Sequence, residues 1–389
     1  MVYGFSQAGL LQKSLCALLI VANWLGGNGG RTQAITLDFR LACSLEGTCG
    51  PGDFFFDHPE AWEDLNFVGQ FYAPFADSLS AISGASVTFP HPDTGNAAFG
   101  LNNFSVPANT VVIFVGGRDL DGNQVGGGAA GGPNGAFPRG QGTIVGSSAN
   151  DFASWGGVVS FDTKTSTGVD RNWHFGVDSL PGPFQVDFLS VAMHELGHVF
   201  GFGTSASLEN KVSGGLLQGA ASTALYGGGV PMVFNPGANM HEHWGDGVTS
   251  PPYANQPAPS FSGTLRLGRR VLLTPLDYAG LKDVGWQVPA QLLGLHGNSD
   301  GDGDVDGNDF LAWQRGYGLP SGGSALAGDL SGQGLVDSFD LWLWEQYYGS
   351  TSGVGGLASS QIPEPASWCL GALCSLALAT RKASRLLPT

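Results

Sequence analysis

Val191–Thr204 reads VAMHELGHVFGFGT. On a helix, residues i and i+4 share a face, so His194 and His198 project the same way and both imidazoles can reach one metal ion. Glu195 lies beside the first of them, where its carboxylate can touch a water at the metal without binding the metal itself. Asp187 is suited to cap the start of this helix, and Gly201 and Gly203 suit its end. A bare H-E-x-x-H match also arises by chance, so the rest of the chain must decide its meaning.

Working outward, Ile35–Phe39 alternates apolar and polar residues as a half-buried strand does. Asp57-His58-Pro59-Glu60 gives a helix start. Leu65, Val68, Tyr72, Phe75 and Leu79 then keep helical spacing on one face, with Pro74 placed to kink or end it. Ser86–Phe89, Thr110–Val115 and Gly157–Asp162 are strand-like and rich in β-branched residues. Between the last two, Gly116–Gly156 is so rich in glycine that long loops are expected. An irregular segment follows the histidine helix, and Thr274-Pro275-Leu276-Asp277 opens a final helix running to about Asp283. This order implies an α+β domain over residues 35–289, with one helix carrying chemistry against a twisted sheet.

Composition narrows the chemistry. The 389 residues include 63 glycines, only 12% are charged, and the net charge is −16. That disfavours a helical bundle. It also disfavours nucleic acid as a partner, because phosphate binding needs clustered Lys and Arg. Lys13 precedes the apolar run Ser14–Leu25, then glycines and Thr32-Gln33-Ala34, the layout of an export signal over 1–34. The run is shorter than the roughly 20 residues a membrane helix needs. Cys43 and Cys49 are the cysteines left in the body of the exported chain, where a small disulfide loop is expected. They form no C-x-x-C pair, and His58, His91, His174 and His296 lack metal-type spacing.

A catalytic zinc takes three protein ligands and keeps a fourth position for water. The spacing H-E-x-x-H-x-x-G-x-x-H of metzincin peptidases is matched here as far as Gly201, but Thr204 stands where the third histidine belongs. The chain resembles the leishmanolysin-like branch of that clan, in which the third histidine comes late and is commonly followed by Trp. His243-Trp244, within Met240-His241-Glu242-His243-Trp244, fits that pattern. The resemblance covers roughly residues 35–288 and is strongest at the histidine helix and at Leu276–Trp286. It implies a zincin/metzincin-like fold and zinc on His194, His198 and His243. It further implies peptide-bond hydrolysis through a zinc-activated water, with Glu195 as general base. His241 is the alternative to His243, and Glu242 a further option. Metzincins place a methionine turn beneath the zinc, and Phe261, bulkier and stiffer, stands there in this chain. Phe261 and Thr204 motivate a rival reading, a catalytically weak zinc- and calcium-binding surface or matrix protein. A hydrolase of non-peptide amides is a third.

Asn298–Asp309 reads NSDGDGDVDGND, with oxygen side chains on Asn298, Asp300, Asp302, Asp306 and Asp309 and a glycine, Gly303, at the sixth position. Those are the offsets of a calcium loop followed by a helix. Asp329–Asp340, DLSGQGLVDSFD, repeats the pattern with Asp329, Ser331, Gln333, Asp337 and Asp340. Trp313, Tyr317 and Gly318 recur as Trp344, Tyr348 and Gly349, so loop and following helix repeat together. Ser331 and Gln333 replace Asp300 and Asp302, which makes the second loop the weaker one. The all-α pair over 296–350 resembles type I dockerin modules. That resemblance implies Ca²⁺ in the loops and docking to a cohesin-like partner, or against its own catalytic domain.

Residues 351–361 read as a Gly/Ser linker. Ile362-Pro363-Glu364-Pro365, an uncharged apolar stretch, and Arg381, Lys382 and Arg385 resemble a PEP-CTERM sorting signal over 362–389. It implies transient membrane contact and processing by an exosortase-type enzyme. The expectation is a secreted or envelope-associated protein acting on protein or peptide substrates.

Overall fold

The computed structural model describes residues 34–120, 122–131, 138–139, 142–143, 152–264, 266–319 and 322–352. The expected export signal before residue 34, the linker beyond residue 352 and the sorting tail lie outside them. The chain from Thr36 forms β1 (Thr36–Leu41), α1 (Phe54–Asp57), α2 (Pro59–Gly69), β2 (Ile82–Phe89), β3 (Phe99–Val106) and β4 (Thr110–Arg118). β5 (Gly126–Ala130), the short β6 (Pro138–Arg139) and β7 (Gly142–Thr143), β8 (Gly156–Asp162), β9 (Trp173–His174) and β10 (Val186–Asp187) follow. Next come α3 (Phe188–Val199), α4 (Ala206–Glu209), β11 (Val212–Ser213), β12 (Leu216–Leu217), α5 (Ala220–Tyr226), β13 (Val230–Asn235) and β14 (Met240–Trp244). The last helices are α6 (Pro275–Val284), α7 (Gly307–Gly316) and α8 (Ser338–Tyr347). The architecture is mixed α+β. Among the described residues no helix is long and apolar enough to cross a membrane.

The main sheet has the order β1-β4-β8-β5, with β1, β4 and β8 parallel and β5 antiparallel to β8. Its central strands β4 and β8 are buried over almost their whole length because both faces are covered. Val111, Ile113 and Val115 of β4 join the core beneath α2 and α3, while Val112 and Phe114 turn to the β2–β3 hairpin. Alternation along the strand thus feeds two cores, one on each side. Leu65, Val68, Tyr72, Phe75 and Leu79 are all buried as expected, but only Leu65 and Val68 lie on α2. The helix itself ends at Gly69, and turns carry the chain past Pro74, whose ring cannot continue it. The disulfide between Cys43 and Cys49 is formed.

Two expectations need correction. Gly116–Gly156 is not loop throughout: Gly126–Ala130 is a sheet strand, and Gly116–Arg118 belongs to β4. The segment after α3 is regular in its first part, where β11, β12, β13 and β14 form a four-stranded antiparallel sheet in that order, while among the described residues no named helix or strand lies between Trp244 and Pro275.

α3 starts as read from the sequence, with Asp187 accepting from Ser190 N at 3.2 Å. α6 opens with a capping box between Thr274 and Asp277 and with Pro275 in its first turn. The loop–helix pair packs directly on this body. Phe339 and Trp342 of α8 meet the ring of Phe67 at 5.3 and 4.9 Å and that of Phe71 at 5.1 and 6.0 Å. Aromatic faces at such spacings are ordinary core contacts. Leu330 and Leu343 join the same cluster.

Candidate metal centre

α3 and β14 bring three imidazoles to one point. His194 Nε2 lies 3.1 Å from His198 Nε2 and 3.2 Å from His243 Nε2. Zinc–nitrogen bonds of roughly 2.0–2.1 Å at a tetrahedral angle separate two ligand nitrogens by about 3.3 Å. The observed spacings match that requirement. Of the downstream candidates only His243 joins the group. His241 turns to Glu209, with Nδ1 3.0 Å from Oε1, and Glu242 accepts from Asn235 Nδ2 at 2.7 Å.

The ring orientations are set from behind. His194 Nδ1 lies 2.8 Å from the Ser260 carbonyl and His198 Nδ1 lies 2.8 Å from the Phe202 carbonyl. A carbonyl only accepts, so each Nδ1 carries the proton and each Nε2 presents a lone pair to the centre. Burial, then the neighbouring imidazoles, hold the rings neutral. His194 is lowered to about 3 by burial and the charge of His198, and His198 to about 4 by burial and that of His243. His243 is likewise lowered to about 4 by burial and His194. Neutral imidazoles with free Nε2 lone pairs are what a metal ion needs.

Glu195 is buried beside the triad, and burial raises its carboxyl to about 8, opposed by a hydrogen bond from the Gly128 backbone. A cation at the triad would favour the ionised form. The carboxylate opens on a cleft of about 750 Å³, lined on one side by Gly126–Gly128 and on the other by Glu242, His243 and Thr264. β5 is an edge strand of the sheet. Its glycines let it lie close to α3: a Cβ on Gly126 would press on the Glu195 side chain, and one on Gly128 would overlap the Glu195 carbonyl.

Thr204 takes no place in the triad, because its hydroxyl donates to the His198 carbonyl at 2.6 Å. Phe261 is fully buried under the site, 6.4 Å from the His194 ring and 4.5 Å from that of Phe202. Its bulk is accommodated by Gly197 of α3, where any Cβ would overlap the Phe261 ring. Ser260, Gly128 and Asp277 were not singled out for this centre by the sequence. Ser260 acts through its backbone carbonyl, which leaves no signature in residue type, and Gly128 through its N–H and its lack of a Cβ. Asp277 was read only as a helix cap.

No family model, curated protein or solved structure matches this chain.

The acidic loops differ from each other. In the first, Asp304, Asp306 and Asp309 lie within 4.8 Å of one another. Asp304 stands at the seventh loop position, which ordinarily ligates through its carbonyl. Asn298, Asp300 and Asp302 lie along the same loop, where Asn298, Asp300 and Asp302 each accept a backbone N–H two or three residues on. Asp304 Oδ1 is buried with no hydrogen-bond donor, and burial and then its acidic neighbours Asp302, Asp306 and Asp309 raise the Asp304 carboxyl. This loop fits a cation. In the second, Asp329, Ser331, Gln333, Asp337 and Asp340 are linked by hydrogen bonds among themselves and to the backbone.

Proposed function

We propose that this protein is a secreted zinc-dependent endopeptidase of metzincin-like fold. The observation that carries the reading is the convergence of three Nε2 atoms beside a buried carboxylate on a cleft bordered by an edge strand of the sheet. His194, His198 and His243 would hold the zinc. When bound, it supplies Lewis-acid polarisation of the scissile carbonyl and makes a water acidic near neutral pH. Glu195, fixed by the Gly128 N–H, takes the proton of the attacking water as the C–O bond forms. It returns that proton to the amine nitrogen as the C–N bond breaks. The outer edge of β5 offers backbone groups that can pair with an extended polypeptide and hold it across the triad. Ca²⁺ in the first acidic loop would support the loop–helix pair.

The test is proteolysis of casein by zinc-loaded wild type and Glu195→Gln, with zinc content measured in both. Loss of about 10²–10⁴-fold in rate with zinc retained is expected. Equal rates would sink the reading, and zinc without cleavage in the wild type would favour a binding protein.

A further inference from the structure

The two acidic loops have matching positions but different internal chemistry. In both loops the last aspartate accepts backbone N–H groups on each oxygen, Asp309 from Ser299 N and Asp306 N as Asp340 does in the second loop. Asp329 accepts from Gly332 N at 2.8 Å and Gly334 N at 2.9 Å. Asp340 accepts from Leu330 N and Ser331 N at 2.9 Å and from Asp337 N at 2.8 Å. Asp337 accepts from Phe339 N at 2.8 Å on one oxygen, and Gln333 Nε2 donates to the other at 2.9 Å. The amide cannot be turned the other way, because its oxygen would then face a carboxylate oxygen. At the equivalent positions of the first loop, Asp302 and Asp306 are both carboxylates, and the buried Asp304 Oδ1 between them lacks a donor.

We propose that the second loop takes no cation, because the Gln333 amide stands in for it, and that the pair carries one Ca²⁺-type site, in the first loop, instead of two. Hard cations of this kind need several free oxygens. A cation in the second loop would have to displace the Gln333 donor from Asp337 and leave that buried contact unmade. Desolvation without replacement makes that costly.

The packing gives a second reason. Gly332 of the second loop sits against Pro289 and Gln291, whereas Gly301 of the first has open space around it. The helix after the second loop buries Phe339, Trp342 and Leu343 in the main core. Asn308, Leu311 and Ala312 stand at the matching positions of the first helix, and Leu311 is exposed. The repeat has therefore divided its work. One half is a permanent part of the core and is closed by an internal amide, and the other keeps an open loop for an ion.

The inference rests on the calcium reading of the first loop but not on peptidase activity. Calorimetric Ca²⁺ titration of the chelator-treated full chain is expected to give one site. Asp300→Asn/Asp302→Asn should give none, and Ser331→Asp/Gln333→Asp should give two. Two sites in the wild type, or one surviving in the first-loop variant, would overturn the second-loop claim. No site in the wild type would overturn the count. In chelator, Gln333→Ala should lower Tm by about 2–4 °C, and Ca²⁺, acting through the first loop, should raise the Tm of wild type and variant equally so that the gap between them persists. An unchanged Tm would show that the amide replaces nothing.

Discussion

Trp244 Nε1 donates to Asp277 Oδ1 at 3.0 Å, which ties the residue after His243 to the first turn of α6. The same buried carboxylate accepts from Ser260 N at 2.8 Å and Phe261 N at 3.0 Å. The Ser260 carbonyl in turn holds His194. One side chain thus fixes the strand bearing one metal-facing imidazole and the carbonyl that orients another. Burial raises its pKa while the backbone donors of Phe261, Thr274 and Ser260 pull it down.

Asp277→Asn places an NH₂ group among donors and leaves one of them unpaired. A stability loss of about 2–4 kcal/mol is expected, read from denaturant melts. Zinc affinity, followed by chelator competition, should fall by about 10–100-fold because ligand supports are disturbed. Trp244→Phe removes a single hydrogen bond and should cost about 1 kcal/mol. If Asp277→Asn destabilises the protein but leaves zinc affinity intact, its role is in folding alone.

The choice between neighbouring histidines is sharply testable. His243→Ala should lose stoichiometric zinc, while His241→Ala, whose ring pairs with Glu209, should keep it. Metal analysis after dialysis reads the difference. Zinc loss in the His241 variant with retention in the His243 variant would reverse the assignment.

Glycines of β5 differ by position. A Cβ at Gly127 meets nothing within 4 Å, whereas at Gly128 it would overlap the Glu195 carbonyl. Gly127→Ala should change stability by less than about 0.5 kcal/mol, and Gly128→Ala should cost about 1–3 kcal/mol by overpacking. Thermal melts of the two variants separate them. Similar melting temperatures would mean that strand and helix are not held so closely.

The same strand shows why part of the fold was hidden. Sequence periodicity is carried by side chains, and Gly126-Gly127-Gly128 has none to alternate, so a sheet strand looked like loop. β14 was missed for a different reason. Met240–Trp244 is mostly polar because it faces the cleft and Glu209, not because it is irregular. By contrast, α3 was legible to its cap, since Asp187, the i and i+4 histidines and the closing glycines each have a local cause. His243 was legible through the Trp beside it, and the structure supplies a reason: Trp244 is the anchor to Asp277. Asp304 was not, because the loop pattern assigns its position to a backbone oxygen.

His296 gives a pH test away from the triad. It is buried between the body and α8, its ring 5.6 Å from Tyr278 and 5.2 Å from Tyr347, with Tyr253 at 6.2 Å. Its Nε2 donates to the Leu292 carbonyl at 3.0 Å. Burial lowers its pKa to about 4, partly opposed by that hydrogen bond. An unfolded histidine titrates near 6.5, so between those values the unfolded chain binds a proton that the folded chain refuses. Stability from this group is therefore present above about pH 6.5 and is lost as pH falls towards 4. The loss should reach about 2 kcal/mol at pH 5. Denaturant melts of zinc-loaded wild type and His296→Gln at pH 7 and pH 5 check the sign. The wild type should lose more stability than the variant over this interval. Equal losses would mean that His296 accepts its proton without leaving its place between the body and α8.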